Sequence, residues 1–189
     1  MRVLFFHGFL VNVLEEVLQE VRRIDRIVQD LLGYARPREP NFTDVNIREV
    51  FRRVALLFDR TIEEKKIKLD ILIDPDVDSI FADENLIEQV LLNLVLNSLQ
   101  AMGENGTLVL SNRLTRDVSG VEITVQDSGP GISPENISRV FQPFFTTKKD
   151  GTGLGLATCK RIITDHGGTI TVASVPGMGA TFRIWLPAK

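Results

Sequence analysis

The stretch VEITVQDSGPGISPENISRVFQPFFTTKKDGTGLGL (121–156) decides the architecture. Val121 to Gln126 alternates apolar and polar residues and reads as a strand with one buried face. From Asp127 to Gly155 the chain is rich in Gly, Pro, Ser and Thr and too long to be a plain connector. Loops of that length in compact domains are functional or mobile. A helix from about Leu154 to Asp165 follows, then two strands, Thr169 to Ser174 and Ala180 to Leu186, joined by Pro176-Gly177-Met178-Gly179. Upstream, Thr107 to Leu114 reads as a strand that turns back at Asp117 to Gly120. Glu84 to Met102 is a strong helix with Asp83 placed to cap it. Ser79 to Ala82 and Ile67 to Ile73 (IKLDILI) read as strands, the second ended by Asp74-Pro75. Val45 to Lys66 reads as one amphipathic helix, with Ile47, Val50, Val54, Leu57 and Phe58 at helical spacing and Asp44 or Asn46 as its cap. The expectation is an α+β, two-layer sandwich: a mixed, largely antiparallel sheet with helices on one face, preceded by a long N-terminal helix.

That first helix carries apolar residues at Leu10, Leu14, Val17, Val21, Ile24, Val28 and Leu31, alternately four and three apart. Such a stripe is the seam of a helix packed on another helix. Leu18 and Leu32 widen it towards a helical bundle, and Gly33, Pro37 and Pro40 stop it. The chain divides into a helix over 1–36, a linker over 37–44 and a globular body over 45–189. Its apolar beginning, broken by His7, Gly8 and Asn12, has no small-x-small cleavage pattern and is too short for a membrane span.

The chain has 189 residues, 43% of them hydrophobic, with 22 Lys+Arg against 25 Asp+Glu and a net charge of −3. This excludes a disordered chain and argues against a nucleic-acid binder driven by phosphate neutralisation. The single cysteine, Cys159, and the two histidines, His7 and His166, exclude a disulfide framework, a cysteine-rich zinc site and a multi-histidine metal centre. A soluble, cytoplasmic globular protein is expected.

Three segments carry chemistry. Asn93 and Asn97 lie four residues apart on one helix face, extended a further turn by Gln100, among almost wholly apolar neighbours. Unpartnered, each carboxamide costs about 1–3 kcal/mol. Two readings are open: bonding to neighbouring backbone, or neutral oxygen ligands facing a hydrated cation, Mg²⁺ carrying phosphate. Asp127-Ser128-Gly129-Pro130-Gly131 ends a strand; its glycines let backbone approach something flat, and the carboxylate can accept from an amino group. Taken alone, this is a common turn. Gly151-Thr152-Gly153-Leu154-Gly155-Leu156 runs into a helix whose free N–H groups suit phosphate, with Thr146, Thr147, Lys148 and Lys149 just upstream. It is neither a Walker loop nor a dinucleotide fingerprint.

The combination is specific where each member is weak. Asn-x-x-x-Asn, Asp-x-Gly-x-Gly, Phe141-Gln142-Pro143-Phe144-Phe145, GTGLGL and Gly177-Met178-Gly179-Ala180-Thr181-Phe182 follow one another in this order. The series, over about Asn41 to Lys189, resembles the ATP-binding catalytic domain of bacterial sensor histidine kinases, within the superfamily shared with gyrase-type and heat-shock-chaperone ATPases. The resemblance implies ATP and Mg²⁺ as cofactors. It makes Asn97 the metal ligand, with Asn93 beside it on metal or phosphate and Gln100 on the same face. Asp127 is similar to the adenine-reading aspartate, with Gly129, Gly131 and Ile132 shaping the base pocket. Phe141 to Phe145, Phe144 included, looks like the hinge of a lid. Thr147, Lys148, Gly151, Thr152, Gly153, Leu154, Gly155 and Leu156 form the end of that lid that closes on the phosphates. Gly179 and Thr181 resemble the last segment lining the site, and His166 a structural turn.

Arg23 to Arg36 looks like the second helix of the family's dimerisation and phosphoacceptor hairpin. The first helix, with histidine followed by an acidic residue, is not in this sequence, and His7 precedes Gly8. The resemblance therefore implies a kinase module that phosphorylates a histidine on a separate helix and does not autophosphorylate by itself. It implies a response regulator as partner, a homodimer through the first helix, no nucleic acid, and a parent protein that can be membrane-attached while this stretch is not. Two rivals remain. One is another ATPase of the superfamily, disfavoured because those position water with a glutamate where Asn93 stands here. The other is a non-catalytic, nucleotide-sensing dimerisation module.

Overall fold

The computed structural model describes residues 39–188 except 78, 116–118 and 149–150. Upstream it describes Leu14, Val17, Leu18, Glu20, Val21, Ile24, Val28 and Leu31, all helical. The expectations for His7, Leu10 and Leu32, and for the turn at Asp117, lie outside the described residues, as does most of the 1–36 division. The apolar members of that helix are about half exposed, so the stripe meets no partner among the described residues.

The body runs β1 (Thr43–Val45), α1 (Ile47–Leu57), α2 (Asp59–Glu64), β2 (Lys68–Leu72), β3 (Ile80–Ala82), α3 (Glu84–Ala101), β4 (Thr107–Thr115), β5 (Gly120–Asp127), α4 (Pro134–Ile137), α5 (Gly155–Asp165), β6 (Thr169–Ser174) and β7 (Ala180–Pro187). The main sheet has the order β2-β4-β5-β7-β6. Only β2 pairs parallel, to β4; the other neighbours are antiparallel, as the mixed sheet requires. The rung Leu110–Val125–Phe182–Val172 crosses four strands, and its side chains meet α1, α3 and α5 in one core. Period-two burial along β5 (Val121, Ile123, Val125) and β7 (Phe182, Ile184, Leu186) leaves the alternate residues on the opposite face.

Two local readings need correcting. The single helix over Val45 to Lys66 is interrupted: Val45 closes β1, Asn46 caps α1 through Glu49 N–H, and Phe58 (φ −108°, ψ 5°) divides α1 from α2. Phe58 turns onto the core, so packing overrides helical continuity there. The short strand at Ile80–Ala82 exists but joins β1 in a separate two-stranded ladder. The long loop also contains one short helix, α4, begun by Pro134.

α3 matches expectation. Ile87, Val90, Leu91, Leu94, Val95, Ser98 and Leu99 make its buried stripe, and Asp83 caps it by accepting from Leu86 N–H at 3.1 Å. His166 is structural: its Nε2 accepts from Asp83 N–H (3.0 Å) and its Nδ1 bonds Ile162 O (2.7 Å) in a buried position. Among the described residues no helix is long and apolar enough to cross a membrane.

Candidate nucleotide site

Strand β5 ends on Asp127. Its register with Leu108 and Ala180 places the carboxylate on the helix-facing side of the sheet, where it is 5% exposed. A buried charge needs partners. Oδ2 accepts from Ser98 Oγ (3.1 Å), and Oδ1 accepts from the N–H groups of Gly129 (2.9 Å) and Ala180 (3.3 Å). A carboxylate offers about four acceptor positions. One remains for a donor from outside. Gly179 (φ +81°) makes the close approach possible, since a Cβ there would run into the Asp127 carbonyl. The turn is strapped down by Gly177 N–H to Pro130 O (2.7 Å) and Ile132 N–H to Ser174 Oγ (2.8 Å).

Helix α3 makes the second wall, and Ser98 connects it to the first. On its flank, Asn97 Oδ1 and Gln100 Oε1 both accept from Lys148 Nζ, at 2.8 and 2.6 Å. Burial pulls the Lys148 ammonium below the usual lysine range. Asn93 lies one turn earlier and faces α5, where its Oδ1 stands beside Gly155, while the buried Cys159 thiol donates to Val90 O at 3.8 Å. Burial pushes that thiol up to about 12, against a smaller lowering by Asn93, so Cys159 stays protonated and unreactive.

The third part is the segment between the walls. Phe141 anchors its start edge-on against Phe182, with ring centroids 6.4 Å apart, and Arg139 covers Phe145 at 4.5 Å. Phe144 is 66% exposed with φ +65°, a conformation that bulky residues seldom hold. Gly153 (φ +68°) packs against the backbone of Phe144 and Phe145, closing the segment on itself. Thr146 Oγ1 accepts from Lys148 N–H (3.1 Å), and Thr147 is exposed. α5 begins at Gly155 without a side-chain cap. Its first amides are therefore donors that a phosphate can take.

The structure thus brings Asn97, Gln100, Lys148, Asp127, Gly129 and the Gly-rich loop together. It redirects three expected contacts. Leu154 is 1% exposed and Leu156 packs on the core, so these side chains anchor the loop, and only their backbone can meet a ligand. Thr181 pairs with Gln126, one residue out of phase with Asp127, which turns its side chain to the opposite face of the sheet. Ile132 likewise packs towards the core while Gly131 (φ +75°) makes the turn. Ser98 and the Ala180 amide escaped the sequence reading. A hydroxyl at a buried helical position, next to Asn97, was the signal for the first; the second is a register effect with no signal of its own.

The donor set fits a hard cation. Two amide oxygens already hold a positive charge, and among the described residues no cluster of three or more His, Cys, Asp or Glu could hold a metal. A metal here would rest on carboxamide and phosphate oxygens, which suits Mg²⁺.

Residues 82–189 match the family described as histidine kinase-, DNA gyrase B-, and HSP90-like ATPase. The sensor histidine kinase ZraS of Salmonella typhi is 40% identical over 169 residues, which is 89% of this chain and 36% of that protein. The chain therefore spans a little over a third of that relative's length. Full-length ShkA in complex with AMPPNP superposes with a TM-score of 0.77 at 31% identity, covering 86% of this chain and 35% of the other. Histidine kinase ThkA in complex with the response regulator protein TrrA gives 0.77 at 34% identity, covering 92% and 49%.

Proposed function

The chain belongs to the histidine kinase-, DNA gyrase B- and HSP90-like ATPase family, and on that footing we propose that it is the catalytic module of a two-component sensor kinase, moving the γ-phosphoryl group of Mg·ATP to a histidine on a separate helix. The observation that carries this reading is Asp127: a buried carboxylate with one acceptor position left, joined through Ser98 to the helix that presents Asn97.

That position takes the adenine amino group. Asn97 would hold the metal, which when bound would neutralise charge on the phosphates. The uncapped amides of α5 and the Lys148 ammonium receive the phosphate oxygens. Phosphoryl transfer depends on alignment and charge neutralisation more than on covalent chemistry from the protein. The accepting imidazole supplies its own lone pair: a nitrogen–phosphorus bond forms, the bond from the γ-phosphorus to the bridging oxygen breaks, and ADP leaves. Asn93 offers no carboxylate to activate water, so hydrolysis is slow.

The ThkA complex supports a response regulator as the downstream partner, and the exposed stripe on the first helix supports a homodimer. The test supplies a separate acceptor hairpin and labelled ATP. Acid-labile phosphate should form on the hairpin, steady-state ATP turnover should be near background, and Asn97→Ala should abolish transfer. Asp127→Asn should weaken ATP binding roughly 10- to 100-fold with the fold intact, because the amide oxygen can still accept from both backbone donors. Equal affinity in calorimetry contradicts the adenine contact. Persistent lack of transfer with intact binding favours a nucleotide sensor.

A further inference from the structure

We propose that Gln100 is a positioning residue: with Asn97 it seats the chain's own Lys148 ammonium, and that ammonium excludes a divalent cation from Asn97, so that Gln100 sets how readily the lid yields to nucleotide. The inference rests on the reading of Asn97 as a metal ligand.

The seat is built from distant parts of the chain. Lys148 reaches 51 residues back to Asn97 and 48 back to Gln100, with Nζ at 2.8 and 2.6 Å from their amide oxygens. Asn97 and Gln100 are three apart on α3, which puts both oxygens on one side of the helix. Both partners are neutral acceptors, so the contact is a charge-assisted hydrogen bond, stronger than a neutral one but with no counter-charge to make it permanent. The same feature makes the oxygen pair usable by a metal. One Asn97 oxygen cannot serve both cations closely, since two positive charges on one atom repel. Loading the site therefore requires Lys148 to leave, and its natural destination is the phosphate that arrives with the metal.

Gln100 stands apart from the rest of the machinery in one respect. It is exposed and belongs to no core contact, so removing its amide leaves α3 packed. Its effect is then on the balance between a seated and a released lysine. When the competent form is only a fraction of the population, apparent affinity falls by that fraction.

The test uses the whole 189-residue chain. Mg·ADP is titrated by calorimetry, because ADP has no γ-phosphate for Lys148 to meet. Hydrogen exchange over residues 146–153 is followed in EDTA without nucleotide. Gln100→Leu should bind Mg·ADP about three- to tenfold more tightly than the unchanged chain, with faster exchange in the lid. Gln100→Glu, which strengthens the hold on the ammonium, should slow that exchange in EDTA. A purely structural role for Gln100 would not give opposite signs. Equal affinity and equal lid exchange in the unchanged chain and Gln100→Leu overturn the proposal. If the unchanged chain takes up no Mg·ADP at all, the nucleotide reading fails, while the exchange difference between the Leu and Glu variants still decides the seat.

Discussion

Ser98 donates its only proton to Asp127 Oδ2 at 3.1 Å inside the core, one residue beyond Asn97. Without that hydroxyl, one oxygen of a buried carboxylate would lose its partner. Removing a partner from a buried acceptor costs about 1–3 kcal/mol, more for charged groups. Ser98→Ala should therefore lower the free energy of unfolding by about 1–2 kcal/mol in denaturant titrations without nucleotide. An unchanged denaturation midpoint contradicts this account. The residue was hidden from sequence reading by its neighbours: among Leu94, Val95 and Leu99 a serine reads as a small core filler. Asp127, by contrast, stands out as the end of an alternating strand before two glycines, a common turn that gains meaning only from the order of all five segments.

Among the elements, α3 depends on its first residue. Burial alone would raise the Asp83 carboxyl, but the N–H groups of Asn41, Leu86 and Asn85 outweigh it and hold the group below the ordinary aspartate range. A carboxyl lowered by folding adds stability that is complete above its unfolded value, about pH 3.9, and is lost as pH falls through the folded value. Asp83→Ala should cost about 1–2 kcal/mol at neutral pH, as for other N-caps, and the difference from the unchanged chain should shrink below pH 4. Thermal melts at pH 7 and pH 3 check both. The elements also show where sequence pattern ends. β4, β5, β6 and β7 were readable because one face is more buried than the other, and β2 from the alternation of its sequence, although its residues are only part-buried or exposed. The break at Phe58 was not, since its apolar spacing continues the helix and only the core decides its turn. Neither was the β1–β3 ladder, whose two short strands carry no alternation of their own and are fixed by position.

For the molecule as a whole, the order of five weak segments was enough to expect them side by side, and the fold brings them into contact: Ser98 and Gly179 on Asp127, Gly153 on Phe144, Gly155 beside Asn93. What remained illegible was orientation: Thr181 and Gln126 face away through register, and Leu154 through burial. At this scale the exposed stripe of Leu14, Val17, Val21, Ile24, Val28 and Leu31 calls for a partner, since scattered apolar residues are ordinary but an unbroken helical row is not. If the proposed homodimer runs through this stripe, Ile24→Asp should leave a monomer in light scattering with ATP binding in place. A dimer that persists argues for another interface.

The path into the body has a mechanical meaning. Asn41 N–H is tied to Asp83 Oδ2 at 2.9 Å, and Phe42 stacks on Phe81 and tilts against His166. His166 in turn receives the Asp83 amide and closes the C-terminal end of α5. A tug or twist arriving along the polypeptide from upstream is thus delivered at one knot, where α3 starts and α5 ends, so the two helices cannot be moved independently by whatever lies on the far side of Glu39.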